Sequence, residues 1–209
     1  VTRYQKKTQP TKKKNQYINM INKIFNALSV RSNEEKKIVL PRFFKTGKGQ
    51  YGEGDQFLGV TVPNIRDVAK EYNDISFDAI KELINSPWHE MRMCALLILV
   101  NNSKKIVTKE TFDFYLSHTK HINNWDLVDL SAPQIVGKYL LNKDHDILYK
   151  LAESDLLWDN RIAIVSTLTF IRSNDLDDTF KLSLKMMQHK HDLMHKSIGW
   201  MLREAGKRD

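Results

Sequence analysis

Hydrophobic residues recur along most of this chain at the three- and four-residue spacing of an amphipathic helix. The stretch 16–28 is typical, because Ile18, Ile21, Ile24, Phe25 and Leu28 form one stripe along it. Alternation typical of a strand is not evident anywhere. The same pattern, with capping residues and prolines as boundaries, predicts further helices over 33–44, 63–72, 76–85, 87–101, 108–120, 125–141, 145–153, 158–171, 175–188 and 192–205.

Two local signals interrupt this helical pattern. Pro133 lies inside the helix predicted over 125–141, where a missing N–H is expected to kink the chain. Residues 45–55 (KTGKGQYGEGD) form the one glycine-rich loop, and no predicted strand precedes it as a nucleotide-binding loop would require. We expect this loop to provide a turn or a backbone contact with phosphate.

Three of the predicted helices begin with similar sequences, HEMRMCALL, WDNRIAIVS and LMHKSIGWM. Aligning them places Arg92, Arg161 and Lys196 at one position, at intervals of 69 and 35 residues. A period in the mid-thirties is typical of paired-helix solenoids. We therefore predict an all-α helical-repeat solenoid of stacked antiparallel helix pairs with a concave groove, and a single-core helical bundle is the alternative. Such a groove suits a duplex or an extended peptide.

The basic character of the chain is confined to its N-terminal part. Residues 1–50 contain 13 Lys and Arg against Glu34 and Glu35, whereas the remainder contains 20 basic and 23 acidic side chains. This distribution predicts a basic N-terminal tail over 1–15 and a single helical-repeat domain over 16–209. A basic segment favours phosphate backbones or anionic membranes, and a merely solvated tail is the alternative.

Composition indicates the cellular environment of the protein. No run of 18 or more apolar residues occurs, so no membrane-spanning segment is expected. The single cysteine, Cys94, lies in the apolar run CALLILV, which indicates core packing in a reducing compartment. We expect a monomer in the bacterial cytosol or nucleoid.

The candidate functional residues are tryptophans close to charged side chains. Trp125 and Asp129 lie four residues apart and Trp158 and Arg161 three apart, so each pair shares a helix face. Trp200 precedes Arg203 and Glu204. The alternative interpretation is that the tryptophans fill the core while the charged residues cap helices, with Arg161 paired to a nearby carboxylate such as Asp159.

A metal site is not expected. His191 and His195 have a helical spacing that can hold a metal ion, with Asp192 between them. A third ligand is lacking, and so is the HExxH pattern.

Several long segments resemble the DNA alkylation repair family, the AlkD-type helical-repeat glycosylases. They cover roughly residues 43–209 in the order YGEGDQFLGVTVPNIRDVAKEY, SPWHEMRMCALLILV, INNWDLVDLSAPQIVGKYL, LLWDNRIAIVSTLTFIR and HDLMHKSIGWMLREAGKRD. The resemblance implies stacked HEAT-like helix pairs in one domain. It also implies a glycosylase that excises cationic alkylated purines, such as N3- and N7-alkyl bases, from duplex DNA without a metal or organic cofactor. A helical-repeat module that binds DNA or a protein without excision is the alternative.

The resemblance also implies roles for particular residues. Trp125 and Asp129 match the catalytic tryptophan and carboxylate, Arg161 matches a DNA-contacting arginine, and Trp200 matches a second tryptophan of the catalytic cleft. An aromatic residue before the FLG segment is assigned to Tyr51, with Phe44 as the competing choice.

Two features set this chain apart from the family pattern. The GKGQYGEGD loop is extended, and the sequence ends at REAGKRD where family members continue through another helix or two. We therefore expect either a truncated C-terminus or a short subgroup. The basic tail adds a prediction of its own, that Lys12, Lys13 and Lys14 contact the DNA backbone.

Overall fold

The computed structural model describes the chain over residues 12–208, and its side chains from residue 17 onward. Within that range the regular secondary structure is helical, and the one β-type pairing is an isolated bridge between Gln56 and Trp88. The all-α prediction is therefore confirmed. In the described part of the chain, no helix has the length and apolar character needed to cross a bilayer. Lys12, Lys13 and Lys14 begin the first helix, but their side chains lie outside the described residues, so their DNA contacts stay a prediction.

The helices follow one another with short connections, except for residues 44–61 between α2 and α3, which contain the glycine-rich loop. In chain order they are α1 (Lys12–Ser29), α2 (Glu34–Phe43), α3 (Val62–Glu71), α4 (Phe77–Ile84), α5 (His89–Asn102), α6 (Lys109–Ser117), a 3₁₀ turn (Thr119–His121), α7 (Trp125–Ala132), a π-helical turn (Pro133–Gly137), α8 (Lys138–Leu140), α9 (Asp146–Ala152), α10 (Leu157–Ser166), α11 (Leu168–Arg172), α12 (Asp177–Met186) and α13 (Asp192–Ala205).

The stacking of these helices has the expected period. We call α5, α7, α10 and α13 the inner helices, because each of them packs against the next. They begin at His89, Trp125, Leu157 and Asp192, at intervals of 36, 32 and 35 residues. Helices α4, α9 and α12 each precede an inner helix and pack against it, while α6 packs against the π-helical turn. One hydrophobic core runs through the stack, from Ile24 in α1 to Ala205 in α13.

Two predicted helices are divided. The helix predicted over 125–141 changes to π geometry at Pro133, and the helix predicted over 158–171 is interrupted at Thr167. The two irregularities pack together, since the Thr169 hydroxyl donates a hydrogen bond to the Pro133 carbonyl at 2.6 Å. Gly137 fits here because a Cβ would collide with the Ser166 carbonyl oxygen and the Thr169 side chain. A contact between residues so far apart in sequence gives no signal in the local hydrophobic pattern.

The segment after the glycine-rich loop is held by a buried carboxylate. Glu90 accepts hydrogen bonds from the backbone N–H groups of Leu58, Gly59 and Val60, at 2.9, 2.8 and 3.1 Å. Gly59 has φ of +81°, and a Cβ there would lie 2.5 Å from the Asn33 carbonyl oxygen. The turn is therefore fixed between α2 and α5, and it determines where the preceding loop begins and ends.

Gly59→Ala is expected to destabilise the protein through both strain and collision. The matched control is Gly54→Ala, since Gly54 has φ of +84° but no atom within 4 Å of the point where a Cβ would lie. The control should lose about 1 kcal/mol of unfolding free energy to backbone strain alone. Gly59→Ala should lose about 2 kcal/mol more from overpacking. Urea unfolding of the two variants measures the difference, and equal losses would contradict the close packing at Gly59.

Candidate functional site

An aromatic cluster lies at the start of α7. Asn124 accepts a hydrogen bond from the Trp125 backbone N–H at 2.9 Å, so the helix begins with the indole at its first residue. The Trp125 ring stacks on Phe44 at 5.5 Å between centroids and meets the edge of Phe43 at 6.0 Å. Burial raises the pKa of Tyr51, and a hydrogen bond with Trp125 partly offsets that rise. We call Phe43, Phe44, Tyr51 and Trp125 the aromatic wall.

One side of the aromatic wall faces a cleft of about 330 Å³. Helix α13 forms the opposite side of this cleft, and the basic residues at its margins, Lys45 and Lys196, are exposed. The cleft is lined by Phe43, Lys45, Tyr51, Trp125, Arg161, Asp192, Leu193 and Lys196. It therefore combines aromatic faces with charged side chains, of which Lys196 is paired with Asp192 at 2.9 Å.

An ion pair lies one helical turn beyond Trp125. The Arg161 guanidinium donates to both carboxylate oxygens of Asp129, at 2.8 and 2.9 Å, and also to the Leu193 carbonyl at 2.6 Å. The Arg161 side chain is 6% exposed and that of Asp129 20%. Burial raises the pKa of the Asp129 carboxyl above its ordinary value, and the hydrogen bonds from Arg161 oppose that rise. The bidentate pairing fixes the orientation of the carboxylate.

The structure thus brings together three of the residues suggested by the resemblance, Trp125, Asp129 and Arg161. Tyr51 joins them through the aromatic wall, whereas Phe44, its competitor, is buried behind Trp125. The sequence suggested Asp159 as the alternative partner of Arg161, but Asp159 accepts a hydrogen bond from Ser154 instead.

Trp200 is not among the residues that line the cleft. It lies one turn beyond Lys196 in α13 and is half-buried. A hydrogen bond from Lys207 lowers the pKa of Glu204, and a bond with the Trp200 indole adds to that effect. A catalytic contribution from Trp200 stays a prediction.

The sequence did not assign a role to Phe43, Lys45 or Lys196, which all line the cleft. Phe43 is the last residue of α2 and is 58% exposed, whereas the aromatic role was assigned from the sequence to Tyr51, with Phe44 as the competing choice. Lys196 was visible in the repeat alignment with Arg92 and Arg161. Asp129 lies four residues after the start of α7, as Arg161 does in α10 and Lys196 in α13.

A second polar cluster, also missed from the sequence, lies behind the aromatic wall. His89 Nε2 is 2.9 Å from Asp126, and its Nδ1 is 3.4 Å from Asp55. Arg92 reaches Asp55 at 2.8 Å, and the Asn123 amide donates to the same carboxylate at 2.9 Å. We call Asp55, His89, Arg92, Asn123 and Asp126 the buried polar cluster. The available signal was the pair His89 and Arg92 at the start of a helix that is otherwise apolar on all sides.

The geometry of the cluster favours a protonated His89. A neutral imidazole has one N–H donor, so one of its two carboxylate neighbours would face a lone pair. Burial alone would lower the pKa of His89, but the carboxylates of Asp126 and Asp55 raise it to about 9. For Asp55, burial is outweighed by the bonds from His89 and the charge of Arg92, so its pKa is lowered. Two cations and two anions are therefore buried together.

A second cavity, of about 440 Å³, also has Phe43, Phe44 and Trp125 among its lining residues. It lies between α2, the start of α3 and the inner helices α5 and α7, and its remaining lining is mainly apolar. Phe43 and Trp125 therefore line two open spaces, while Phe44 is buried and Tyr51 and Trp125 pack against the hydrophobic core.

The histidines considered as metal ligands have other partners. His191 caps α13 by accepting the Leu193 N–H at 3.2 Å, and His195 contacts the His189 carbonyl. Over residues 12–208, no three His, Cys, Asp or Glu side chains gather as a metal site would require.

Comparisons with known proteins agree with this fold. A family model described as DNA alkylation repair enzyme matches residues 24–209. A solved structure described as "Predicted DNA alkylation repair enzyme from Enterococcus faecalis" is similar, with a TM-score of 0.66 over 85% of this chain and 84% of that chain. At 18% sequence identity, the structural similarity shows the fold alone. No curated protein matched the chain.

Because of the buried polar cluster, the free energy of unfolding should fall at alkaline pH. Because the folded-state pKa of His89 is about 9, above the ordinary 6.5, the stabilisation is fully present below pH 6.5 and is lost as the pH rises through 9. The loss should approach about 3 kcal/mol. Urea unfolding of wild type and His89→Gln at pH 6, 7.5 and 9.5 measures it as a difference. Parallel pH profiles for the two proteins would contradict a protonated His89.

Proposed function

This chain belongs to the DNA alkylation repair enzyme family, and from that premise we propose that it is a DNA glycosylase. Its proposed substrates are duplexes that contain cationic N3- or N7-alkylated purines. The observation that carries the proposal is the Asp129 carboxylate, held by Arg161 one helical turn from Trp125. Arg161 and Trp125 both line the cleft, whereas Asp129 is not among its lining residues.

In the proposed chemistry, the protein does not need to activate the leaving group. An alkylated purine already carries positive charge, so it departs without protonation by a strong acid. Cleavage of the glycosidic bond leaves an oxocarbenium-like sugar, as in glycoside hydrolysis. The Asp129 carboxylate would stabilise that positive charge and orient the attacking water. Because Arg161 already holds the carboxylate in place, little reorganisation would be required during the reaction.

Aromatic faces suit the same cationic substrate. A cation over the face of Trp125 or Tyr51 gains favourable electrostatic energy from the ring quadrupole, and more so when water is excluded. Trp200 would add a further face from α13. Lys45 and Lys196 lie at the margins of the cleft and not beside Asp129. This is where groups that bind phosphates would lie.

Arg161 is proposed to hold both the carboxylate and the DNA. A guanidinium has five N–H donors, and the hydrogen bonds to Asp129 and Leu193 use three of them. The other two remain for a phosphate oxygen, although the side chain is largely buried. The N-terminal lysines would add sequence-independent contacts with the backbone.

A DNA-binding protein without catalytic activity is the second candidate. The bidentate ion pair between Asp129 and Arg161 favours it, because such a pair also has a purely structural use. Incubation with methylated duplex DNA decides between the two candidates, through the release of free 3-methyladenine or 7-methylguanine. Binding without release would support the second candidate.

Asp129→Asn should abolish most excision and leave DNA affinity unchanged or slightly higher. The amide keeps the shape of the side chain but removes the charge that would face the sugar, and such a loss typically costs about 100-fold or more in rate. Single-turnover release of 7-methylguanine measures the rate. The control is Asp113→Asn, an exposed carboxylate on α6 paired with Lys109. If both variants excise at the wild-type rate, the catalytic assignment of Asp129 is wrong.

Arg161→Met should weaken excision and also flatten the salt dependence of DNA binding. Loss of one phosphate contact lowers the slope of log affinity against log salt by about 1. Lys181→Met, on α12, is the control and should leave the slope unchanged. A slower excision with an unaltered slope would restrict Arg161 to holding Asp129.

A further inference from the structure

Trp125 is the first residue of α7 and is partly buried against the hydrophobic core. Its indole lines both the cleft and the larger apolar cavity. Its aromatic partners are Phe43, which is 58% exposed, and Phe44, which is buried. The position of Trp125 therefore depends on this packing and also on how the first turn of α7 is anchored.

The next residue in the chain provides that anchor. One oxygen of the Asp126 carboxylate accepts the backbone N–H of Leu127 at 2.8 Å, and the other is 2.9 Å from His89 Nε2. The side chain of Asp126 is 13% exposed and that of His89 is 2% exposed. The first turn of α7 is thus tied through His89 to the start of α5.

The other ring nitrogen of His89 faces the glycine-rich loop. Asp55, its neighbour there, lies four residues after Tyr51 and is 5% exposed. Tyr51 in turn contacts Trp125 through its hydroxyl and the edge of Trp158 at 6.0 Å. His89 therefore contacts the two segments that supply the opposite ends of the aromatic wall.

We propose that His89 is a positioning residue that sets the relative placement of Trp125 and Tyr51 by bridging Asp126 and Asp55. This inference rests on the proposed function, because the placement matters only if the aromatic wall faces a reacting nucleotide. His89 itself does not touch the cleft and acts through its two carboxylate neighbours.

The surroundings of His89 favour a rigid bridge. Phe57 and Phe44 cover its ring, at 4.7 and 4.9 Å between centroids. Asp55 faces it from the loop and Asp126 from α7, and Arg92 lies near it on α5. Glu90, the other charged group of this turn, is directed to the backbone of residues 58–60. The imidazolium therefore has two charged acceptors and no alternative partner.

The first test is spectroscopic and needs no substrate. In ¹⁵N-labelled full-length protein, both ring nitrogens of His89 should be protonated at pH 7. The Trp125 indole N–H resonance should shift in His89→Gln and in Asp126→Asn, while that of Trp200 stays in place. A neutral His89 in wild type, or an unmoved Trp125 resonance in both variants, would overturn the inference.

The matched control is His145→Gln. His145 also contacts a carboxylate and an aromatic ring, since it lies 2.5 Å from Asp178 and stacks on Phe170 at 4.3 Å, but it joins α9 and α12. Its variant should lose stability and leave the Trp125 resonance where it is. Circular dichroism confirms that each variant remains helical.

The second test is kinetic. His89→Gln should slow single-turnover excision about 10- to 100-fold by misplacing the aromatic wall, with DNA affinity retained. His145→Gln should excise at the wild-type rate. If wild type itself releases no base, the proposed function fails while the spectroscopic test still decides on His89. If wild type and His89→Gln excise equally fast, the positioning inference is wrong and the proposed function stands.

Discussion

Charged side chains at the starts of the inner helices must find partners on neighbouring repeats, and this constraint shapes the whole molecule. An inner helix has neighbours on both sides, so a charge that points along the stack is removed from water. His89 and Arg92 in α5 meet Asp126 and Asp55, and Arg161 in α10 meets Asp129. Each pair joins segments more than 30 residues apart. The pairs satisfy the buried charges and at the same time fix how one repeat sits on the next.

The candidate site follows from the same arrangement. Trp125 and Asp129 occupy the first two turns of one inner helix. His89 holds Asp126, the residue next to Trp125, and Arg161 holds Asp129, so both contacts come from outside that helix. The glycine-rich loop adds Tyr51, and its end is fixed by Asp55 and by the turn at Gly59. Preorganisation here is therefore a property of contacts between repeats, and a single helix hairpin would lack it.

Much of the fold could be predicted from local pattern. The helical stripes located the helices, and three aligned helix starts gave the period of the stack. The common face of Trp125 and Asp129 was also evident, because it requires only helical spacing. The π-helical turn at Pro133 and the interruption at Thr167 were not, since they depend on Gly137 meeting a distant carbonyl. The partner of Arg161 could not be predicted for the same reason, because a carboxylate 32 residues away gives no signal in the local sequence.

The three-way attachment of Arg161 has a consequence for how the protein unfolds. In many repeat proteins each unit contacts only its neighbours through apolar surface, and terminal units can open independently. Arg161 donates to Asp129 in α7 and to the Leu193 carbonyl in α13, so opening the repeat that contains α13 exposes one of its bonds. Local opening of α13 is thereby coupled to the integrity of the carboxylate site. Modular editing of this chain, by deleting or duplicating a helix pair, would break that coupling even if every apolar interface were preserved.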